Sequence, residues 1–201
     1  MPLESLVFLD VIINASFLLT ATAFFFSAAI FGDALFVRFD LKTFIKFLGF
    51  LFLGVAFVLN LLNNMYPGLN YWLMSAALVL IFVGFIIDPL SKFKFIAPLP
   101  VVFFPFLTGH ILFFVLGLAS TFAIFQLAYT TRHRDLIPLG VSFTLTSIGE
   151  YLYHLKDIEQ LKQLALAGSF LYLFASLILL GWVWSYLAIR FVNRFKPSVA
   201  V

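Results

Sequence analysis

The chain contains no cysteine. That absence excludes disulfides, thiolate catalysis, iron–sulfur clusters and zinc–thiolate sites. Charge is the second shortage. Asp, Glu, Lys and Arg make up 10% of the 201 residues, where a soluble domain carries about 25%. Catalytic signatures are a third. There is no phosphate-binding Gly-rich loop, no HExxH and no GxSxG, and no spacing of Ser, His and Asp suggests a triad. The N-terminus, MPLESLVFLD, lacks the basic stretch of a secretory signal and the Arg/Ser-rich character of a transit peptide. The first apolar run is therefore expected to remain as a helix. No lipidation motif is read either, since the start is not Met-Gly and the end, KPSVAV, has no Cys.

What the chain has is apolar side chain. It is 64% hydrophobic, with 29 phenylalanines and a net charge of only +3. A soluble globule of this size could not hide so much apolar surface. Lipid must be the solvent for most of it. The expected fold is an all-α integral membrane protein forming one polytopic domain over residues 1–201, in the cell membrane. Its first partner is the lipid bilayer. Other membrane subunits, or further copies of itself, come next, and nothing points to nucleic acid.

A membrane-spanning helix needs about 20 mainly apolar residues. Clear candidates run over 6–31, 44–63, 70–88, 110–130, 137–155 and 164–190. They end at polar or turn-forming stretches such as FGDALFVRFDLK, NNMYPG, IDPLSK and HLKDIEQ. The segment 94–108 is harder. From Phe95 to Thr131 there is no formally charged residue, too long a run for one ordinary span and enough for two short ones. Thr108, Gly109 and His110 would form the turn. Pro98, Pro100 and Pro105 weaken a helix there, although membrane helices tolerate proline better than soluble ones.

Charge placement arbitrates, because short cytoplasmic loops collect Lys and Arg. If 94–108 crosses, Arg38, Lys42, Lys46, Lys92, Lys94, Arg132, Arg134, Arg190, Arg194 and Lys196 share one side, and only Lys156 and Lys162 lie on the other. If it does not, the bias nearly vanishes. The expectation is therefore seven transmembrane helices, with the N-terminus outside and the C-terminus cytoplasmic. Six helices is the alternative.

A faint internal repeat agrees with seven. At a spacing of 95, Asp40-Leu41 matches Asp135-Leu136 and Gly54 matches Gly149. Nearby, LVLIFVGF (78–85) resembles ASLILLGW (175–182). The first three spans would then repeat as the last three, in parallel, with 94–108 as joiner. This 3+1+3 layout resembles that of the SWEET sugar transporters, whose fold uses parallel repeats. No motif is shared. The layout also looks like the seven-helix sensor regions that precede bacterial and archaeal signalling kinases. Here the chain stops shortly after its last span, so an output domain would have to sit on a separate partner.

Polar residues inside spans are costly and usually face the bundle interior. Ser142, Thr146, Glu150 and His154 are spaced by four and share one helical face. A Glu and a His one turn apart can hydrogen-bond, share a proton or share a metal. The bland alternative is a neutral Glu paired with a neighbour for helix association. Asp10 and Asn14 lie at a similar depth in the first span, and His110 opens its own. Together these seven residues are the candidate binding set, an outer polar vestibule. Asn60, Asn63 and Asn64 end a span on the same side, the last two reading as turn and cap residues. Asp10 would also fit the headgroup level.

Metal and cofactor readings are weak. Only His110, His154 and Glu150 could hold zinc with a water, and they form no motif. A bis-His haem would have to pair His110 with His154. A retinal protein needs a lysine in its last span, and 164–190 contains none. No cofactor, metal or catalytic residue is therefore assigned. A stripe of Ser16, Thr20, Ala23 and Ser27, with Ala28 and Ala29, suits close helix packing or a partner surface. Tyr66, Tyr71 and Trp72 read as an aromatic belt, Trp182, Trp184 and Tyr186 lie in the last span, and Arg190, Arg194 and Lys196 read as a basic anchor on anionic headgroups. The expected function is a non-catalytic accessory subunit or sensory module acting through partners. The alternative is a small-solute or ion transporter with its site at Glu150. An intramembrane enzyme built on Glu150, His154 and His110 is a distant third.

Overall fold

A computed structural model describes residues 3–62, 69–88, 91, 109–159 and 161–195. Within them the chain forms six α-helices: α1 (Leu3–Val37), α2 (Leu41–Leu61), α3 (Leu69–Ile86), α4 (Gly109–Thr131), α5 (Ile137–Glu159) and α6 (Lys162–Phe195), with a 3-10 turn at Arg134–Leu136 before α5. The expected span 94–108 lies outside the described residues, as do Asn63, Asn64, Tyr66, Lys92, Lys94 and Lys196.

The first and last helices outrun their expected bounds. The Gly-Asp pair at 32–33 does not stop α1. Helix breaks only where Asp40 takes an extended conformation (φ −140°, ψ 128°) ahead of α2. The ladder of intrahelical hydrogen bonds can run on past an apolar stretch, so a polar pair alone does not fix where a helix ends.

Five of the helices are long and apolar enough to cross a membrane: Asp10–Val37, Leu41–Leu61, Leu69–Ile86, His110–Thr131 and Lys162–Arg190. This is the make-up of an all-α, multi-pass membrane protein. The fifth helix falls short on apolarity. It carries Ser142, Thr144, Thr146, Ser147, Glu150, Tyr151, Tyr153 and His154, and several of these are buried against its neighbours.

Each helix packs on its neighbour in the chain, and α1 closes the ring against α6. Side-chain pairs give the directions. Lys46 sits by Phe85 and Asp88, while Asn60 meets Asn70 and Met74, so α2 and α3 are antiparallel. Tyr71 meets His110, Ser120 donates to the Leu78 carbonyl, and Ser91 donates to Gln126. Numbers rise together, so α3 and α4 are parallel. His110 meets Glu150, Gly117 faces Ser147 and Phe125 faces Gly140; numbers fall on one helix as they rise on the other, so α4 and α5 are antiparallel. Phe17 meets Tyr172, Thr20 meets Ser176, Phe31 meets Trp182 and Asp33 pairs with Arg190. Hence α1 and α6 are parallel, and Leu3 and Phe195 lie at opposite ends of the bundle.

Phenylalanine fills the centre. Phe24, Phe50, Phe57 and Phe143 are buried and meet in stacked and edge contacts, with Phe24 and Phe57 at 5.6 Å and Phe50 and Phe143 at 5.8 Å. Other large apolar side chains face outward, among them Phe26, Phe122, Phe174 and Trp184. So broad an apolar exterior belongs against lipid. The small-residue stripe of α1 is spent inside the molecule. Ser16, Thr20, Ala23 and Ser27 are buried, and Thr20 Oγ1 lies 2.8 Å from Ser176 Oγ on α6.

Candidate functional site

The site begins with a close approach of two helices. A Cβ added at Gly168 would lie 3.1 Å from the Gly149 carbonyl oxygen and from the Tyr153 ring. Glycine at both positions lets α6 settle onto α5. One turn further along α6, Tyr172 reaches the carboxylate of Glu150, the residue after Gly149. The Tyr172 hydroxyl donates to Glu150 Oε1. Glu150 Oε2 lies 2.6 Å from His110 Nδ1 on α4. His110 Nε2 lies 3.1 Å from the Tyr71 hydroxyl on α3. A continuous hydrogen-bonded chain, Tyr71–His110–Glu150–Tyr172, thus ties four helices together.

Proton positions follow from donor and acceptor capacity. An ionised carboxylate only accepts, so the Nδ1–H of His110 donates to it. In the neutral imidazole Nε2 must then accept from the Tyr71 hydroxyl. In the imidazolium both ring nitrogens donate, and the Tyr71 oxygen accepts. The chain is therefore satisfied in two protonation states, which differ in the direction of one hydrogen bond.

Aromatic rings shut the chain in. The Tyr153 ring lies 6.4 Å from the His110 ring at 17° and 5.8 Å from the Tyr172 ring. Its hydroxyl is 2.7 Å from Ser169 Oγ, which itself donates to the Ala165 carbonyl at 2.9 Å. Phe17 of α1 meets both tyrosines, at 5.9 Å and 5.8 Å. Glu150 is 4% exposed and Tyr172 fully buried. Burying a carboxylate costs several kcal/mol in order of magnitude. Charge-assisted bonds from a tyrosine and a histidine, in a medium of low dielectric, offset that cost.

The expected site residues separate into two groups. Glu150 and His110 are brought together. Ser142 and Thr146 are buried but bond back into their own helix, to the carbonyls of Pro138 at 3.0 Å and Ser142 at 2.8 Å. That is the usual recourse of a hydroxyl inside a helix. His154 is half-buried and, among the described residues, has no hydrogen-bond or ion-pair partner. The Glu150 oxygens turn to α4 and α6 instead of along α5. Asp10 and Asn14 lie exposed on α1.

Sequence reasoning passed over Tyr172, Tyr153, Ser169 and Phe17, and read Tyr71 only as a belt residue. A signal existed. A tyrosine in mid-span, as in FLYLF around Tyr172, must find a partner for its hydroxyl once buried. Tyr153 also lies three residues from Glu150, on the same helical face.

Among the described residues, no three His, Asp or Glu side chains come together as a metal would require. His110 and Glu150 supply two donors only. At the opposite end of the bundle Lys42 Nζ lies 2.9 Å from Asp88 Oδ2, and the buried Lys46 lies 4.0 Å from it and 4.3 Å above the Phe85 ring. These contacts clamp α2 to α3. The chain matches no protein-family model, and neither a curated protein nor a solved structure matches it.

Proposed function

We propose that this protein is a seven-crossing, non-catalytic membrane module that acts through partner subunits, and that the Tyr71–His110–Glu150–Tyr172 chain is the junction through which it couples its helices. One observation carries the reading. Both oxygens of the buried carboxylate are engaged by side chains of other helices, so the polar interior is used to hold helices in register and not to line a passage. A junction satisfied in two protonation states is suited to a sensory or accessory role, since a proton changes a bond direction without breaking the chain.

The crossing number rests on direction. Because α3 and α4 are parallel, the chain leaves Ser91 at one end of the bundle and re-enters at Gly109 at the other. A further crossing between them accounts for this, and the parallel pair α1 and α6 agrees. Orientation rests on charge. Arg38, Lys42, Lys46, Arg132, Arg134 and Arg190 belong to one end, and Lys156 and Lys162 to the other. The basic end is assigned to the cytoplasm.

A specific observation favours the transporter as second reading. A tyrosine–histidine–carboxylate–tyrosine chain is also the composition of a proton relay, and α1–α3 run in the same sense as α4–α6. Proton flux into vesicles containing the purified protein separates the two. The sensory module predicts flux no greater than in protein-free vesicles, and a companion subunit co-purifying in fixed ratio from native membranes in mild detergent. Flux above leak that disappears in Glu150→Gln would replace the first reading by the second.

A further inference from the structure

A cleft of about 1100 Å³ opens where α4 turns into α5. Its walls are Phe125, Ala128, Tyr129 and Ile137, its floor is polar at Gln126 and Thr130, and Arg132 and Arg134 line it. The volume exceeds the roughly 300–1,000 Å³ typical of small-molecule pockets. The floor is internally satisfied: Gln126 accepts from Ser91 at 3.0 Å and donates to Thr130 at 2.9 Å. The arginines are not. Both are exposed, and among the described residues neither makes an ion pair. A second cleft, of about 540 Å³ between α1 and α6, offers a contrast, because its arginine, Arg190, is already paired with Asp33.

The backbone at Arg132 adds a further observation. Its φ is 58°, the left-handed conformation. That position at a helix C-terminus is normally taken by glycine or asparagine, and a side chain with a Cβ costs about 1–2 kcal/mol there. An arginine is nevertheless held at the edge of the cleft. Two guanidinium groups beside an apolar, aromatic-walled groove form an amphiphilic receptor. Guanidinium suits phosphate esters, and the groove suits hydrocarbon.

We propose that this cleft binds an anionic phospholipid, with Arg132 and Arg134 holding the headgroup phosphate and Phe125, Tyr129 and Ile137 contacting an acyl chain. The occupant is a lipid and not a soluble phosphate, because most of the wall is hydrocarbon and aromatic ring. The site lies at the opposite end of α4 from His110 and is independent of the role proposed for Glu150.

Native mass spectrometry of the full chain in neutral detergent, offered equal phosphatidylglycerol and phosphatidylcholine, tests this. Phosphatidylglycerol should be retained at least about tenfold over phosphatidylcholine, as two basic groups near a lipid surface predict. The Arg132→Gln/Arg134→Gln double variant should lose that preference, while Arg38→Gln, at the same end of the bundle, should keep it. Equal retention of the two lipids by the unaltered protein would overturn the proposal, and needs no variant to fold. A preference that survives the double variant would overturn it too. So would displacement of the lipid by millimolar inorganic phosphate, which would mark a site for the free anion.

Discussion

Glu150 shows how much a single buried charge demands of its surroundings. Both oxygens of its buried carboxyl group are engaged, one by the Tyr172 hydroxyl and the other by His110 Nδ1. Tyr172→Phe keeps the ring contacts and removes one bond to a charged acceptor. It should destabilise the protein by about 1.5–3 kcal/mol, read as a lower unfolding temperature in detergent. His110→Phe should cost a similar amount. The two losses and Glu150→Gln should not add, with a coupling of about 0.5–3 kcal/mol for residues sharing one network. A neutral Tyr172→Phe would mean that the chain of bonds contributes nothing to the fold. The same residues show the reach and the limit of sequence. Glu150 and His110 stand out because charge and imidazole are rare in spans. Tyr172 does not stand out, because tyrosine is common in apolar helices and only its hydroxyl betrays it. His154 was equally visible, but spacing along one helix says nothing about what the neighbouring helices offer.

Elements decide how close those residues can come. The α5–α6 contact depends on the facing glycines at 149 and 168, where a Cβ at Gly168 would sit 3.1 Å from backbone and ring alike. Gly168→Val should force the helices apart, cost at least about 1–3 kcal/mol for overpacking, and lengthen or break the Tyr172–Glu150 bond as well. Gly181 on the same helix meets nothing within 4 Å. Gly181→Ala should therefore be neutral, or stabilising by up to about 1 kcal/mol through helix propensity. Comparing the two unfolding temperatures checks the assignment, and equal effects would refute it. The fifth helix makes a related point. Part of its polarity lies in side chains turned toward its neighbours, Ser142, Thr146, Ser147 and Glu150, and the proposed seven-crossing arrangement counts it as a span on that ground.

At the scale of the whole molecule, the directions of the helices matter most. With α1 and α6 parallel, Leu3 and Phe195 lie at opposite ends of the bundle, and the proposed seven-crossing arrangement puts them on opposite faces of the membrane. The absence of native cysteine makes this simple to check with single introduced cysteines. Lys162→Cys should react with an impermeant maleimide on intact cells. Arg38→Cys and Arg134→Cys should react only after permeabilisation. Labelling of all three from one side would sink the seven-crossing arrangement and the orientation together.

Composition alone settled that this chain dissolves in lipid. Too little charge and too much phenylalanine leave no other solvent for its surface, and runs of about 20 apolar residues in a bilayer must be helical, since nothing there can bond a bare backbone. Tertiary structure settled which polar groups meet. Hydropathy is a property of one segment, whereas a hydrogen bond between His110, Glu150 and Tyr172 requires three helices, far apart in sequence, to share a depth and a facing. That depends on packing at glycine contacts and on helix direction, neither of which any one segment contains.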